Sequence, residues 1–249
     1  MLFAIALVLA AGSARAAKNH RDIDTNTSSG DTIITHIADG GDWKTTITIV
    51  NLSSTKAAAF TLNFYGDDGA PKTFPWVGIG SHANVTGTLA PAGEMVLETA
   101  GTAVNTSQGW GQFDYSSSGD ISGYAIFTNK NGQEATVPFE SEIVQQQALA
   151  FDNSNGHTMG VALVNSNSLA VLKVAAVFCD GDGKIIGTDI FTMKPLVHTS
   201  FILRDRWPFT ANRRATVSFW TDSWGLAVLG LRVNPQGAFT SVHSLQTYD

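Results

Sequence analysis

The sequence predicts an all-β protein, built from two tandem antiparallel β-sandwich domains of immunoglobulin-like type that arose by internal duplication. The first observation behind this prediction is a repeat: the segment ITIVN at residues 47–51 returns 114 positions later as VALVN at residues 161–165. The same shift relates Phe64 to Phe178. The second is a series of short runs with a period of two, separated by turn signals roughly every 8 to 12 residues, which is typical of sandwiches. The third is that no long apolar run has helical spacing.

The individual strands are predicted from alternation of apolar and polar residues. Residues 44–51 alternate Thr with Ile or Val, as a half-buried strand requires. Strands are predicted in the first copy at residues 32–37, 44–51, 57–65, 95–97, 111–115, 121–127 and 135–139, and in the second at residues 161–165, 174–179, 201–203, 215–219, 226–232 and 239–242. Residues 74–80 are broken by Pro and Gly, which favours an edge strand or a loop. Residues 140–148 contain the best helix candidate but are short, so we predict a linker or a strand there.

Turn chemistry separates these strands. The sequences GDDG at residues 66–69 and DGDG at residues 180–183 occupy equivalent places in the two copies. Asp and Gly tolerate the positive φ angles of tight connections, so both segments are predicted to be hairpin turns. For a chain of 249 residues, the repeat favours two domains, at residues 31–141 and 142–249.

The amino-terminal residues predict export. Residues 2–11 are an apolar run of ten, shorter than the roughly 20 residues that a membrane-spanning helix needs. Ala14 and Ala16 follow it and provide the small residues that a signal peptidase reads. We therefore predict a signal peptide at residues 1–16 and a flexible leader at residues 17–30. The mature chain is expected to have no membrane span and to reside outside the cell, on its surface or in the periplasm.

Composition narrows the possible partners. The formal net charge is −6, only 14% of the residues are charged, and Lys and Arg form no cluster, so we expect no nucleic-acid partner. A hydrophobic fraction of 43% predicts a packed core rather than disorder. Cys179 is the single cysteine, so an intramolecular disulfide is excluded and stability must come from burial.

Several segments also resemble a known group of sequences. They are residues 38–51, 64–69, 123–127 and 234–239. These segments are similar to tandem immunoglobulin-like repeat modules in secreted proteins of environmental bacteria, most of them uncharacterised. The resemblance covers both copies and implies an exported, β-rich bacterial protein. Its motifs belong to the scaffold and imply no activity.

No catalytic grouping is visible in the sequence. Serine never occurs as Gly-x-Ser-x-Gly, and the six histidines are scattered without metal-ligand spacing. We expect His36, His198 and His243 to occupy half-exposed strand positions. The protein is therefore predicted not to be an enzyme and to need no cofactor.

The acidic turns are weak calcium candidates. Asp67 and Asp68 in one turn, and Asp180 and Asp182 in the other, offer the oxygen ligands that calcium favours. Neither turn matches the twelve-residue calcium loop, and paired carboxylates on hairpins are commonly turn formers. No metal is therefore predicted, and these four residues remain the candidates to inspect.

Tryptophan is the strongest candidate for ligand binding. Trp43, Trp76, Trp220 and Trp224 have no tryptophan counterpart in the other copy. Framework aromatics should recur in a duplicated fold, so these rings could stack on sugars, or could pack one domain against the other.

The function expected from these features is a secreted, non-enzymatic binding or structural module acting as a surface, matrix or adhesion component. One alternative is a carbohydrate-binding module that uses exposed tryptophans and takes a polysaccharide as partner. Another is a subunit of an extracellular assembly or filament, in which the leader and the first strand pair with the sheet edge of a neighbouring protein.

Overall fold

The structure is a computed structural model that describes residues 32–114, 120–140 and 145–246. These residues form an all-β protein with antiparallel sheets, as predicted. The strands of the first half are β1 (Ile33–Asp39), β2 (Trp43–Asn51), β3 (Ala58–Tyr65), β4 (Phe74–Trp76), β5 (Gly80–His82), β6 (Asn84–Leu89), β7 (Glu94–Glu98), β8 (Ser107–Phe113), β9 (Ile121–Asn129) and β10 (Glu134–Pro138).

The second half adds further strands and one short helical segment. Its strands are β11 (Gln146–Asp152), β12 (Thr158–Asn165), β13 (Leu172–Cys179), β14 (Ile185–Met193), β15 (His198–Ile202), β16 (Arg214–Thr221), β17 (Leu226–Val233), β18 (Phe239–His243) and β19 (Leu245–Gln246). The helix α1 (Leu203–Arg206) and a 3-10 turn (Pro208–Thr210) lie between β15 and β16. The predicted signal peptide, the predicted leader and the predicted boundary at residues 141 and 142 lie outside the described residues.

The two halves have the same strand order. In the first half, one sheet has the order β1-β8-β3-β6 and the other has the order β10-β9-β2-β7. The second half repeats this with β11-β16-β13-β14 and β18-β17-β12-β15, and β19 extends the first of these sheets beyond β11. The halves differ by the separate β4-β5 hairpin and by α1 with its 3-10 turn.

Each half buries an apolar core between its two sheets. In the first half, Ile47 and Phe127 from one sheet and Leu62 from the other belong to a single buried cluster. In the second half, Val161 and Phe219 are part of the corresponding cluster. Inward positions alternate with outward ones along β3 and β13, and the burial patterns of these two strands are identical. The period of two in the sequence therefore reflects one buried face per strand.

The repeated asparagine at the end of β2 and β12 has a structural role. Asn165 is fully buried, and its Nδ2 donates to the carbonyl oxygens of Ala170 and Lys194, both at 2.9 Å. Asn51 donates in the same way to Lys56 O at 2.8 Å and to Ala90 O at 2.9 Å. Because buried carbonyls need donors, each side chain ties two loops to the end of its strand.

A tryptophan covers one end of each core, but it comes from non-equivalent segments. Trp76 in the β4-β5 hairpin packs on Phe64 with a ring-centroid distance of 4.7 Å. Trp207, which follows α1, packs on Phe178 at 4.9 Å. Phe64 and Phe178 lie 114 positions apart, the shift of the sequence repeat, and in corresponding strands of the two halves. Two segments that differ between the halves therefore perform the same packing task. Residues 74–80 thus form a hairpin, in agreement with the edge-strand alternative.

The two halves meet through an apolar junction. Ile33 and Trp110 of the first half form a buried cluster with Val164 and Ala227 of the second. The indole Nε1 of Trp110 donates to Leu196 O across the junction at 2.9 Å. Strands β1, β12 and β17 are consequently buried on both faces over much of their length.

Candidate functional site

A chain of three side chains crosses the junction. Asp67, in the turn after β3, lies with its Oδ1 2.7 Å from Nδ1 of His198, the first residue of β15. Nε2 of His198 lies 2.9 Å from Nδ1 of His36 in β1. The pairing of β1 with β8 shifts register between Ile34 and Ile37, which flank His36. The side chain of His198 is fully buried, whereas that of Asp67 is 59% exposed, so the chain leads from solvent into the junction.

The electrostatics of this chain determine which atom donates and which accepts in each of its two hydrogen bonds. The hydrogen bond from His198 lowers the pKa of Asp67, although partial burial acts in the opposite sense, so Asp67 accepts as a carboxylate. His198 Nδ1 must then donate to Asp67. In neutral His198, Nε2 is therefore an acceptor for the Nδ1 proton of His36. We assign this tautomer from the hydrogen-bond pattern.

The same environment keeps His36 uncharged. Burial lowers the pKa of His36 to about 3; the positive charge that His198 carries when it is protonated acts in the same direction, and Asp67 acts in the opposite one. With its proton on Nδ1, the ring has an unprotonated Nε2. No described residue forms a hydrogen bond with that nitrogen. The chain therefore ends in a hydrogen-bond acceptor.

His36 lines a cleft of about 280 Å³ between the halves. The remaining wall is mostly apolar and is formed by Ala38, Trp43, Phe127, Gly160, Val161, Ala162, Phe201, Ile202, Leu229 and Leu231, with Thr106, Gln108 and Ser200 as further polar residues. The Ser200 hydroxyl donates to Gln108 Oε1 at 2.6 Å. Among the described residues, no Asp, Glu, Lys or Arg lines the cleft. This wall suits a small, uncharged ligand, because an unpaired charge would lose its hydration there.

The four tryptophans predicted to bind ligand occupy different environments. Trp76 is 3% exposed and belongs to the first core, so its ring offers no face to a sugar. Trp43 is partly buried, packs near Phe239 at a ring-centroid distance of 5.3 Å and contributes to the cleft. Trp220 and Trp224 are 41% and 60% exposed. The structure thus brings one of the four to the cleft and leaves two on the surface of the second half.

The acidic turn residues act mainly within the protein. Asp67 accepts from His198, and Asp68 Oδ1 accepts from the backbone N–H of Ala70 at 3.0 Å. Asp180 accepts from the backbone N–H groups of Asp182 and Lys184. The described part of the chain contains no group of three or more His, Cys, Asp or Glu side chains that could hold a metal ion. The Asp68 and Asp180 carboxylates thus fit the turn-former interpretation.

The sequence did not reveal the histidine chain. The prediction that His198 is half-exposed was wrong, because it lies at 1% exposure between Asp67 and His36. The three residues are far apart in the sequence and meet only after the halves dock. A weak signal was present in β1, where His36 lies between the apolar residues Ile34 and Ile37.

Comparison with other proteins gives no assignment. Neither the protein-family models nor the curated proteins include a match to this sequence. No helix within the described ranges is long and apolar enough to cross a membrane.

Proposed function

We propose that this protein is a secreted, non-enzymatic binding module that holds a small ligand in the cleft between its two halves. The observation that carries the proposal is the cleft itself: an uncharged wall, with a hydrogen-bonded chain ending on it at His36. Small-molecule sites are typically concave, largely apolar and supplied with a few convergent polar groups, and they often lie between domains.

We further infer that the halves are immunoglobulin-like sandwiches derived from one duplicated unit. The shared strand order supports this, and so do Asn51 and Asn165, which perform the same task at the same place. Docking two such units creates a surface that neither has alone, and the cleft uses residues from both.

Binding fits the chemistry of the cleft better than catalysis. A general base works best with a pKa near the operating pH, and His36, at about 3, is far below it. The Ser200 hydroxyl already donates its proton to Gln108, so it is not poised to give that proton to a base. A hydrogen-bonding role for His36 needs neither a high pKa nor a nucleophile.

The glycines provide a direct test. A Cβ built on Gly160, which lines the cleft, would meet only Leu231 atoms at 3.6 and 3.7 Å, so the position accepts a side chain. Gly160→Leu should fill the cleft without distorting β12. Gly181→Leu is the matched control, because a Cβ there meets nothing within 4 Å and Gly181 does not line the cleft.

The measurement is saturation-transfer NMR of the mature protein with a panel of small uncharged aromatic and aliphatic compounds. We expect that some of these compounds bind to the wild type and to Gly181→Leu but do not bind to Gly160→Leu. A panel without binders, or binders retained equally by all three proteins, would contradict the proposal.

A second candidate function is polysaccharide binding at the surface of the second half. Trp220 points outward from β16, where its register neighbours are Ala175 and Gln146, and Trp224 lies in the following turn. Exposed rings of this kind stack on sugars. If this site operates, Trp220→Ala should abolish retention on insoluble polysaccharides, whereas Ile190→Ala, an exposed residue on the same sheet, should not. Equal retention by both variants would exclude Trp220.

Assembly through the first strand receives less support. Strand β1 pairs with β8 of its own chain and also exchanges backbone hydrogen bonds with Glu140 through Ile33. Because β1 is the edge strand of its sheet, pairing with another subunit would have to use its other edge and displace the bonds with Glu140. We therefore expect a monomer whose mass in light scattering does not change with protein concentration, and a concentration-dependent mass would favour assembly.

A further inference from the structure

The direction of the hydrogen-bonded chain specifies the ligand more closely than the cleft shape does. Asp67 fixes the proton of His198 on Nδ1, and neutral His198 in turn fixes the proton of His36 on Nδ1. His36 lines the cleft, and in this tautomer its second ring nitrogen, Nε2, can only accept a hydrogen bond. A ligand that satisfies it must therefore carry an O–H or N–H donor.

The remaining wall defines the body of the ligand. Trp43, Phe127 and Phe201 contribute aromatic rings, and the wall carries no charged side chain in the described part of the chain. The volume of about 280 Å³ lies near the lower end of small-molecule pockets, which span roughly 300 to 1,000 Å³. One ring with a short substituent fits this space better than an oligosaccharide or a lipid chain does.

We infer that the cleft binds a small, uncharged aromatic compound with a hydroxyl or N–H group, of the phenol or indole class, which donates its proton to His36 Nε2. This inference rests on the proposed function, since it names the ligand class for the same cleft. His36 acts as the specificity-determining acceptor, and Asp67 and His198 are positioning residues that hold it in the accepting tautomer.

Phenol and toluene form a matched pair of probes. They have nearly the same size and differ by a hydroxyl in place of a methyl group. Toluene leaves water for apolar surroundings more readily than phenol does, so a purely apolar cleft would prefer toluene. One net hydrogen bond contributes roughly two- to twelvefold in dissociation constant in favour of phenol, and toluene in addition leaves the His36 acceptor unpaired, so phenol should bind more tightly. The expected preference for phenol is thus opposite to the preference for toluene that hydrophobicity alone predicts.

The experiment is a titration of the mature protein with each probe at pH 8, followed by amide chemical shifts. His36→Phe keeps an aromatic ring in the wall and removes the acceptor, so it should bind toluene and lose the preference for phenol. Asp67→Asn keeps a short polar side chain at an exposed position and can donate to His198, so it should reduce the preference without unfolding the protein.

The outcomes separate this inference from the proposed function. The inference is supported if the wild type prefers phenol, His36→Phe has no such preference and Asp67→Asn has a weaker one. Equal binding of the two probes, or a phenol preference that survives in His36→Phe, overturns it and leaves the cleft as a binding site. If aliphatic compounds bind, Gly160→Leu abolishes that binding and phenol does not bind, the proposed ligand class is wrong but the proposed function stands. Failure of the whole panel overturns the proposed function as well.

Discussion

Replacing Asn165 with alanine should destabilise the protein strongly, because one buried side chain satisfies several backbone groups. Its Nδ2 donates to Ala170 O at 2.9 Å, Met193 O at 3.1 Å and Lys194 O at 2.9 Å. Its Oδ1 accepts from the backbone N–H of Asn167 at 3.0 Å. The side chain is fully buried, so water cannot replace these bonds without rearrangement of both loops.

The magnitude follows from the bonds that are lost. The Asn165 amide has two N–H groups for its three carbonyl partners and accepts one further bond, so it makes three full hydrogen bonds. At about 1 kcal/mol net for each, their loss should lower the free energy of unfolding by about 3 kcal/mol. Small domains are stable by only about 5 to 15 kcal/mol, which makes this a large fraction of the total. Asn51→Ala should cost a similar amount, because Asn51 makes the equivalent contacts in the first half. Asn131 is exposed in a turn, and Asn131→Ala should stay within about 0.5 kcal/mol of the wild type.

Equilibrium unfolding in urea, monitored by tryptophan fluorescence, measures all four proteins under the same conditions. A loss below about 1 kcal/mol for Asn165→Ala would refute the reasoning, because it would mean that the loops do not depend on this side chain. An equal loss for Asn131→Ala would refute it too, since the effect would then have nothing to do with burial.

Three further predictions concern the junction, the cores and the surface. The protein should lose stability as pH falls from 6.5 towards about 3, because His36 in the unfolded chain binds a proton that His36 in the folded protein does not; the loss from His36 is at most about 1.4 kcal/mol per pH unit. The lowered pKa of Asp67 acts in the same direction. The free energy of unfolding of His36→Phe, measured in urea, should therefore depend less on acid pH than that of the wild type. Trp76→Ala should cost about 3 to 5 kcal/mol in urea unfolding, whereas the exposed Trp224→Ala should change stability by less than about 0.5 kcal/mol, and the reverse order would contradict the packing. Trp110→Phe leaves the carbonyl of Leu196 without its donor across the junction and should cost about 1 to 3 kcal/mol in the same assay, while unchanged stability would show that this hydrogen bond is dispensable.

The fold class could be predicted because its signals are local. Alternation along β2 and β3 reports which face of each strand is buried, and the Asp-Gly turns report where the chain reverses. Gly69 and Gly183 adopt φ angles of 80° and 77°, the positive values that such turns require. The repeat added the longer-range information, since two copies of one pattern predict two similar units.

The role of the tryptophans could not be predicted from the repeat register. That register assumes that a framework residue recurs at the equivalent position. Trp76 and Trp207 break the assumption, since a hairpin supplies one and a segment after α1 supplies the other, yet each packs on an equivalent phenylalanine. Segments that differ between the halves can thus take the same packing role without a matching residue at the position that the repeat predicts.

The candidate site was invisible for a related reason. His36 and His198 are 162 residues apart, and Asp67 and His198 are 131 apart. No spacing rule connects residues from different sheets of the two halves. Their proximity is set by how the halves dock, which depends on apolar surfaces such as those of Trp110 and Val164 rather than on any motif.

The protonation state of His36 is the most decisive property to measure, because the specificity of the cleft depends on it. Long-range proton–nitrogen NMR of the imidazole rings, recorded at pH 8 with His36→Phe used to assign the signals, distinguishes the two nitrogens. We expect a neutral His36 with a proton on Nδ1 and an unprotonated Nε2. A proton on Nε2, or a His36 ring that exchanges freely between tautomers, would contradict it.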